Sequence, residues 1–168
     1  MLYRLVTLLS FLLGAVAVAE AQPPIRIGAS LSQTGVYAAP GQPQLRGYHL
    51  CVKDMNEKGG VLGRKLELVV YDDGSDAVTA VRLYEKLITQ DKVDLVLGPY
   101  GSPLTDAVAD VTEKHKMPMV APTGAATSIY RKGRKFIFST APYGGQPGRA
   151  HRPGRQEGAQ DRGPDQQG

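Results

Sequence analysis

The chain has 168 residues, of which 42% are hydrophobic, and a formal net charge of +4. Because no basic stripe with interleaved aromatic residues accompanies this slight excess of charge, the composition argues against nucleic acid as a partner. The single cysteine, Cys51, excludes an internal disulfide, and its place in a helical pattern predicts a buried structural thiol.

The N-terminus has the pattern of an export signal. Met1–Arg4 carries one positive charge, and Leu5–Ala19 is an apolar run that is short for a membrane span. Ala19–Ala21 fits the small-x-small cleavage rule, so residues 1–21 are predicted to be a signal peptide that is cleaved after Ala21. An uncleaved anchor or a buried helix is the alternative interpretation.

The segment after this leader predicts a strand, a loop, a helix and a second strand, which is the order of a βαβ unit. Ile25–Leu31 is predicted to be a buried strand, Asn56–Gly60 ends the helix, and Lys65–Tyr71 forms the second strand. Ligands of parallel sheets bind in the loops at the carboxyl ends of the strands. The loop over residues 32–41 is therefore a candidate ligand loop.

An acidic turn follows the second strand and predicts the start of another helix. Ser75 is the expected N-cap, and Asp76 is favourable in the first turn. Four residues at helical spacing are expected to form the buried face of this helix: Val78, Val81, Tyr84 and Ile88.

The rest of the apolar sequence continues the same alternation. Val93–Leu97 predicts a third strand, Thr105–Lys114 a third helix, Met117–Pro122 a short buried strand, and Phe136–Ser139 a fifth strand. Strands that alternate with helices in this way predict an α/β fold with a doubly wound, mostly parallel sheet.

Small and hydroxyl-bearing residues follow three of the predicted strands. Small side chains let a ligand approach the backbone, and hydroxyl groups can hydrogen-bond it. Each loop alone is explained by turn formation and capping, but three such loops at one edge of one sheet favour a ligand site. Helices begin just after these loops, so their N–H groups favour an anion such as a carboxylate. The residues are Ser32 and Thr34, Gly101 and Ser102, and Ala125, Ala126 and Thr127.

Five stretches together carry a family resemblance through their order and spacing: Gly28–Gly35, Asn56–Gly63, Leu66–Asp76, Leu97–Ser102 and Val120–Thr127. By these stretches, residues 22–142 resemble the N-terminal lobe of periplasmic branched-chain amino acid binding proteins, the type I solute receptors of ABC importers. The resemblance implies a monomeric, non-enzymatic periplasmic protein without a cofactor. Such a protein binds leucine, isoleucine, valine or a related amino acid between two lobes and delivers it to a permease in the inner membrane.

The resemblance also implies ligand contacts in the loops after the third and fourth strands. The carboxylate-binding serine of the family falls on Ser102. The Ala-Ala-Thr of the family falls on Ala125, Ala126 and Thr127, although an alignment without a gap would move the threonine position onto Ala125. Residues of the second lobe have no counterpart in this sequence.

Two tyrosines complete the candidate ligand-binding set. An aromatic residue in the first loop of the family falls near Tyr37, although strict register places Pro40 there. Tyr100 lies in the matching loop after the third strand, two residues before the candidate serine.

The composition changes abruptly after Pro142. Residues 143–168 contain no Val, Ile, Leu, Met or Phe, which predicts a disordered tail. We interpret this tail as a frameshift product, because Gln156–Gly158 read one base later must encode two consecutive Lys or Arg. An Arg-Gly segment that binds RNA is the alternative, and it does not suit an exported protein. A lobe truncated in this way is expected to have an exposed apolar patch and an open sheet edge, and to bind ligand weakly or not at all.

Enzymatic and metal-binding functions find little support in the sequence. Asp72, Asp73 and Asp76 do not have the spacing of an EF-hand loop, and turn formation and helix capping explain them better. His49 and His115 stand on helical stretches without a partner Cys or His on the same face, so no metal site is predicted. Phosphate-loop and nucleophile-elbow motifs are absent from the sequence. A periplasmic amino acid or amide sensor and a non-functional fragment remain alternative interpretations.

Overall fold

The computed structural model describes residues 22–141, so the predicted signal peptide and tail lie outside the described residues. Strands and helices alternate along this part of the chain. The strands are β1 (Ile25–Leu31), β2 (Leu66–Asp72), β3 (Leu95–Leu97), β4 (Met119–Ala121) and β5 (Ile137–Ser139). The helices are α1 (Ala38–Glu57), α2 (Ala77–Thr89), α3 (Ser102–His115) and the short α4 (Thr127–Tyr130).

The five strands form one parallel sheet in the order β2-β1-β3-β4-β5. The chain first moves from β1 to β2 and then crosses back over β1 to reach β3. Because such crossovers are right-handed, the two directions place α1 on one face of the sheet and α2 and α3 on the other. The predicted doubly wound α/β fold is confirmed.

The main core lies between the sheet and the face of α2 and α3. Tyr84, Leu87 and Val108 from these helices are fully buried against Val96 and Met119 of the sheet. The Tyr84 hydroxyl donates a hydrogen bond to the Leu97 carbonyl, which satisfies its polar end inside the core. Burial raises the pKa of Tyr84 well above its ordinary value, so this hydroxyl stays protonated and remains a donor.

Gly28 allows α2 to pack closely on β1. A Cβ atom at this position would lie 3.0 Å from Val93 Cγ2 and 3.1 Å from Leu87 Cδ2. Since real Cβ contacts are rarely that short, the absence of a side chain sets the distance between helix and strand.

The second face of the sheet is covered less completely. Leu97, Val120 and Phe138 occupy neighbouring positions in register on β3, β4 and β5 and share one face. The helix on that side, α1, packs on β1 and β2, and Phe138 is 54% exposed. The described residues therefore leave an apolar part of the sheet open to solvent.

Two predictions about α2 are wrong. Ser75 is not the N-cap, because its φ of +66° is left-handed, whereas Asp76 is extended and accepts a hydrogen bond from the Thr79 N–H at 2.7 Å. Val78 is 64% exposed rather than buried, because the helix begins at Ala77 and turns its inner face towards Ala80.

The prediction for Cys51 is also wrong, because its side chain is exposed. Tyr48, Val52 and Met55 are half-buried on the inner face of α1, and Cys51 lies on the outer face of the same helix.

In the part of the chain that the structure describes, no helix combines the length and the apolar content that a bilayer crossing needs.

Candidate functional site

All six predicted ligand-binding residues lie at the carboxyl edge of the sheet. Three loops meet there because the strands that precede them are parallel: residues 32–37 after β1, residues 98–101 after β3 and residues 122–126 after β4. This edge is where ligands of doubly wound folds bind. The structure thus places the predicted residues within one region, although they span ninety positions of the sequence, from Tyr37 to Thr127.

Ser102 and Ala126 are brought into contact. Ser102 is the first residue of α3, and its Oγ accepts a hydrogen bond from the Ala126 N–H at 3.1 Å. The preceding Gly101 has a φ of +84°, a conformation that glycine adopts without strain. Thr127 begins α4 and is half-buried, whereas Ala125 is exposed in the loop. A hydroxyl and backbone polar groups therefore share one corner of the edge.

Tyr37 and Tyr100 form a second contact, which we call the tyrosine pair. Their ring centroids are 6.0 Å apart with an interplanar angle of 49°, a tilted arrangement that aromatic pairs favour. Tyr37 is the residue just before α1, and Pro40 lies inside the first turn of that helix. Because Tyr100 and Ser102 are two residues apart, the tyrosine pair lies next to the Ser102–Ala126 corner.

Gln44 is a residue that the sequence analysis missed. Its Nε2 donates hydrogen bonds to the Gly98 carbonyl at 3.1 Å and to the Tyr48 hydroxyl oxygen at 2.7 Å. Its Oε1 lies 3.2 Å from the Thr123 hydroxyl, whose oxygen accepts a hydrogen bond from the Gly101 N–H. One side chain of α1 therefore links the loops after β3 and β4.

Tyr48 also binds the loop after β3. Its hydroxyl donates to the Gly98 carbonyl at 2.8 Å. Burial raises the pKa of Tyr48 far above its ordinary value, against the smaller opposite effect of the Gln44 hydrogen bond. The hydroxyl therefore stays protonated at neutral pH. The four-residue spacing of Gln44 and Tyr48 on the inner face of α1 is the sequence signal that could have revealed them.

Two aspartates at the end of β2 hold the loop after β1. Asp73 is 1% exposed and accepts hydrogen bonds from the hydroxyls of Ser30 and Ser32 at 3.0 and 2.6 Å. Asp72 accepts hydrogen bonds from the Gln33 N–H at 2.9 Å and from the Thr34 hydroxyl at 2.8 Å. Asp72 and Asp73 also accept hydrogen bonds from the Gly74 and Ser75 N–H groups at 2.9 and 3.0 Å, which is the turn-forming role favoured from the sequence.

The Asp72 carboxylate is stabilised by its hydrogen bonds. Desolvation acts to raise its pKa, but the Gly74 N–H, the Thr34 hydroxyl and the Gln33 N–H outweigh it and hold the pKa of Asp72 below its ordinary value. The group is therefore ionised at neutral pH.

Within residues 22–141, there is no group of three or more His, Cys, Asp or Glu side chains that could hold a metal ion.

The fold and the sequence both match one known family. The family model described as periplasmic binding protein matches residues 24–152. The chain belongs to this family. Members of the periplasmic binding protein family are solute-binding proteins, and the resemblance identified from the five sequence stretches is confirmed.

Curated relatives of this periplasmic binding protein are named for branched-chain amino acids. The leucine-, isoleucine-, valine-, threonine-, and alanine-binding protein of Pseudomonas aeruginosa is 34% identical over 138 residues, which cover 79% of this chain and 37% of the relative. The Leu/Ile/Val-binding protein of Escherichia coli K12 is 30% identical over 69% of this chain and 31% of its own length.

Solved structures show the same relationship. The branched-chain amino acid transporter substrate binding protein LivJ from Streptococcus pneumoniae, in complex with isoleucine, superposes with a TM-score of 0.68 at 30% identity. The leucine binding protein LivK from Thermotoga maritima gives a TM-score of 0.65 at 29% identity. Each comparison covers 71% of this chain but only 34% and 33% of the other structure. The chain therefore spans about a third of the length of its relatives.

Proposed function

We propose that residues 22–141 form one wall of an amino acid binding site. The protein is then the extracytoplasmic solute-binding component of an ABC transporter for branched-chain or related amino acids. The observation that carries the proposal is the contact between the Ser102 hydroxyl and the Ala126 N–H, 3.1 Å apart where α3 begins. Hydroxyl and backbone N–H groups at the start of a helix suit the carboxylate of an amino acid.

Each predicted site residue has a role in this proposal. Ser102 and Thr127 supply hydroxyl groups, and Ala125 and Ala126 supply backbone polar groups around the carboxylate and ammonium ends of the ligand. The tyrosine pair supplies apolar ring surface on the neighbouring side. The names of the relatives support a branched-chain amino acid as the ligand.

The cellular role follows from the same proposal. The relatives named as transporter components support a permease of the inner membrane as the partner. The signal-peptide pattern of residues 1–21 supports export to the periplasm, where the receptor would act as a monomer.

The affinity of this polypeptide is expected to be low. Ligand sites normally bury most of the surface of the ligand, and one wall leaves the opposite side in water, which competes for every polar contact. We therefore expect a dissociation constant of about a millimolar or weaker. Sub-micromolar binding would contradict this part of the proposal.

The proposal is tested by a ligand titration of the full chain followed by NMR, which detects weak binding. We expect leucine to cause saturable shifts of the Ser102 and Ala126 amide signals. Isoamylamine, which keeps the side chain of leucine but lacks the carboxylate, should cause no such shifts. Absence of leucine-dependent shifts at these two amides, at concentrations of tens of millimolar, would overturn the proposed site.

A substitution pair sharpens the same titration. Ser102→Ala removes the hydroxyl and is expected to weaken the leucine response about tenfold, the cost of one hydrogen bond to a charged group. Thr89→Ala removes an exposed hydroxyl that bonds only the Glu85 carbonyl in α2, and it should leave the response unchanged.

A further inference from the structure

The turn between β2 and α2 touches the loop between β1 and α1 through Ser75. The Ser75 Oγ accepts a hydrogen bond from the Tyr37 N–H at 2.9 Å and donates one to the Thr34 carbonyl at 2.8 Å. One hydroxyl therefore bridges both ends of the segment 34–37. That segment ends at Tyr37, whose ring meets Tyr100.

We propose that Ser75 is a positioning residue for the candidate ligand site. Its hydroxyl fixes the loop after β1 and so holds Tyr37 against Tyr100. The inference rests on the proposed function, because it concerns the aromatic side of the same site. Ser75 is not one of the predicted ligand-binding residues, and it acts through the backbone of Tyr37.

Ser75 is itself held in place by a buried group. Its N–H donates to Asp73 Oδ1 at 3.0 Å, and the same oxygen accepts the hydrogen bond from the Ser32 hydroxyl. The Asp73 carboxylate is 1% exposed, and each of its oxygens has a hydrogen-bond partner. Because moving a buried carboxylate away from its donors is costly, the Asp73 carboxylate fixes the position of the Ser75 backbone.

The backbone of Ser75 favours a role for its hydroxyl. Its φ is +66°, in the left-handed region that glycine adopts at a lower energetic cost than serine. A non-glycine residue is kept in such a conformation when the surrounding structure requires its side chain or holds it there. The two hydrogen bonds of the Ser75 Oγ are what a glycine at this position could not provide.

Gly35 makes the close approach of the two loops possible. A Cβ atom at Gly35 would lie 2.4 Å from the Gly74 carbonyl oxygen and 2.6 Å from the Ser75 Oγ. Gly35 also has a φ of +79°. The loops therefore meet without a side chain between them, and this contact brings the Ser75 hydroxyl within reach of Tyr37.

The test compares Ser75→Ala with Ser75→Gly in the full chain. Both variants remove the hydroxyl, but glycine also relieves the left-handed backbone. If Ser75 serves only the backbone turn, Ser75→Gly will behave like the unsubstituted protein. If the hydroxyl positions Tyr37, both variants will differ from the unsubstituted protein, because both lack the hydroxyl that holds Tyr37 in place. Lys92→Gly is the matched control, because Lys92 also has a positive φ, of +53°, and lies between α2 and β3.

Two readouts report the position of Tyr37 without any ligand: hydrogen exchange of its amide and the ring-proton chemical shifts of Tyr100. We expect both Ser75 variants to accelerate exchange of the Tyr37 amide about tenfold, since that amide loses its acceptor. The ring signals of Tyr100 should shift in both variants, and exchange of the β1 amides should stay the same. Lys92→Gly should change neither readout.

Two results would overturn the inference: unchanged exchange and unchanged ring shifts in both variants, or an effect in Ser75→Ala that Ser75→Gly does not share. A leucine titration of the same proteins should show weaker binding by both Ser75 variants. If the unsubstituted chain does not respond to leucine, the proposed function fails, whereas the exchange and ring-shift readouts still decide the role of Ser75.

Discussion

At the scale of single residues, Gly124 lies where a side chain has no room. A Cβ atom there would approach Thr105 Cγ2 to 2.6 Å and both Thr105 Cβ and Oγ1 to 2.9 Å. Thr105 is fully buried at the start of α3 and cannot move aside. We expect Gly124→Ala to lower the free energy of unfolding by about 1–3 kcal/mol, measured by urea denaturation.

Gly47 is the matched control for that substitution. It lies within α1, is exposed, and a Cβ atom there would meet nothing within 4 Å. Alanine in a helix interior is favoured over glycine, so Gly47→Ala should raise the free energy of unfolding by about 0.5–1 kcal/mol. A destabilising Gly47→Ala, or a neutral Gly124→Ala, would contradict this assignment of the two sites.

At the scale of elements, Arg134 ties the segment before β5 to α3. Its side chain is 5% exposed, and its guanidinium donates hydrogen bonds to Asp106 Oδ1 at 2.7 Å and to Asp110 Oδ1 at 2.6 Å. It also donates to the Asp106 carbonyl at 3.1 Å. Arg134→Ala is expected to lower the free energy of unfolding by about 2 kcal/mol, because hydrogen bonds between charged groups and packing of the stem are both lost.

Lys132 provides the comparison for Arg134. Its ammonium also bonds Asp106, at 2.7 Å, but its side chain is 48% exposed. Exposed ion pairs contribute little, so Lys132→Ala should change the unfolding free energy by no more than about 0.5 kcal/mol. Equal losses in the two variants, measured under the same denaturant conditions, would show that the burial of Arg134 is unimportant.

The stability that Asp72 contributes through its hydrogen bonds to the loop after β1 should depend on pH. The pKa of Asp72 is held below its ordinary value of 3.8, so the ionised group stabilises the folded state above that pH. This contribution is lost as pH falls through the lower pKa of the folded protein. We expect the unsubstituted protein to be more stable than Asp72→Asn at about pH 6, and the difference to shrink below pH 3.8.

Thermal unfolding of the two proteins over this pH range measures the difference. Asparagine keeps an oxygen acceptor for the Gln33 and Gly74 N–H groups but carries no charge, so the comparison isolates the carboxylate. A stability difference that stays constant from neutral to acidic pH would contradict the assignment of the pKa shift to Asp72.

Elements with a local signature were predictable from the sequence. β1 is found over the predicted Ile25–Leu31, because its alternating and then mostly apolar residues suit an internal strand of the sheet. The third helix begins at Ser102 rather than at the predicted Thr105. Proline is tolerated in the first turn of a helix, and Pro103 therefore lies inside this helix and not in the loop before it.

Contacts between distant segments had no such signature. Gln44 bonds the Gly98 carbonyl and the Thr123 hydroxyl, which lie more than fifty positions away in the sequence. Its place on the inner face of α1 follows from the helical spacing, but these distant partners do not. Ser75 looked like an N-cap because the residue type is right, but its hydroxyl bonds the loop after β1 instead. The candidate loops could thus be identified from composition, whereas the network that orients them required the fold.

At the scale of the whole molecule, the two faces of the sheet are covered unequally. Met119, which faces α2 and α3, is fully buried, whereas Phe138 on the other face of the neighbouring strand is 54% exposed. Residues 22–141 by themselves therefore leave apolar sheet surface uncovered. Such surface favours binding of hydrophobic dyes and association at high concentration.

Phe138→Thr tests the exposed face while keeping a residue that suits a strand. We expect the variant to bind less of a hydrophobic dye and to scatter less light at high concentration. Its free energy of unfolding should change by no more than about 1 kcal/mol, because little buried contact is lost. Met119→Ala, in the covered face, should instead cost about 2–5 kcal/mol. If Phe138→Thr proves as destabilising as Met119→Ala, the face that carries Phe138 is covered in solution, and the contrast between the two faces does not hold.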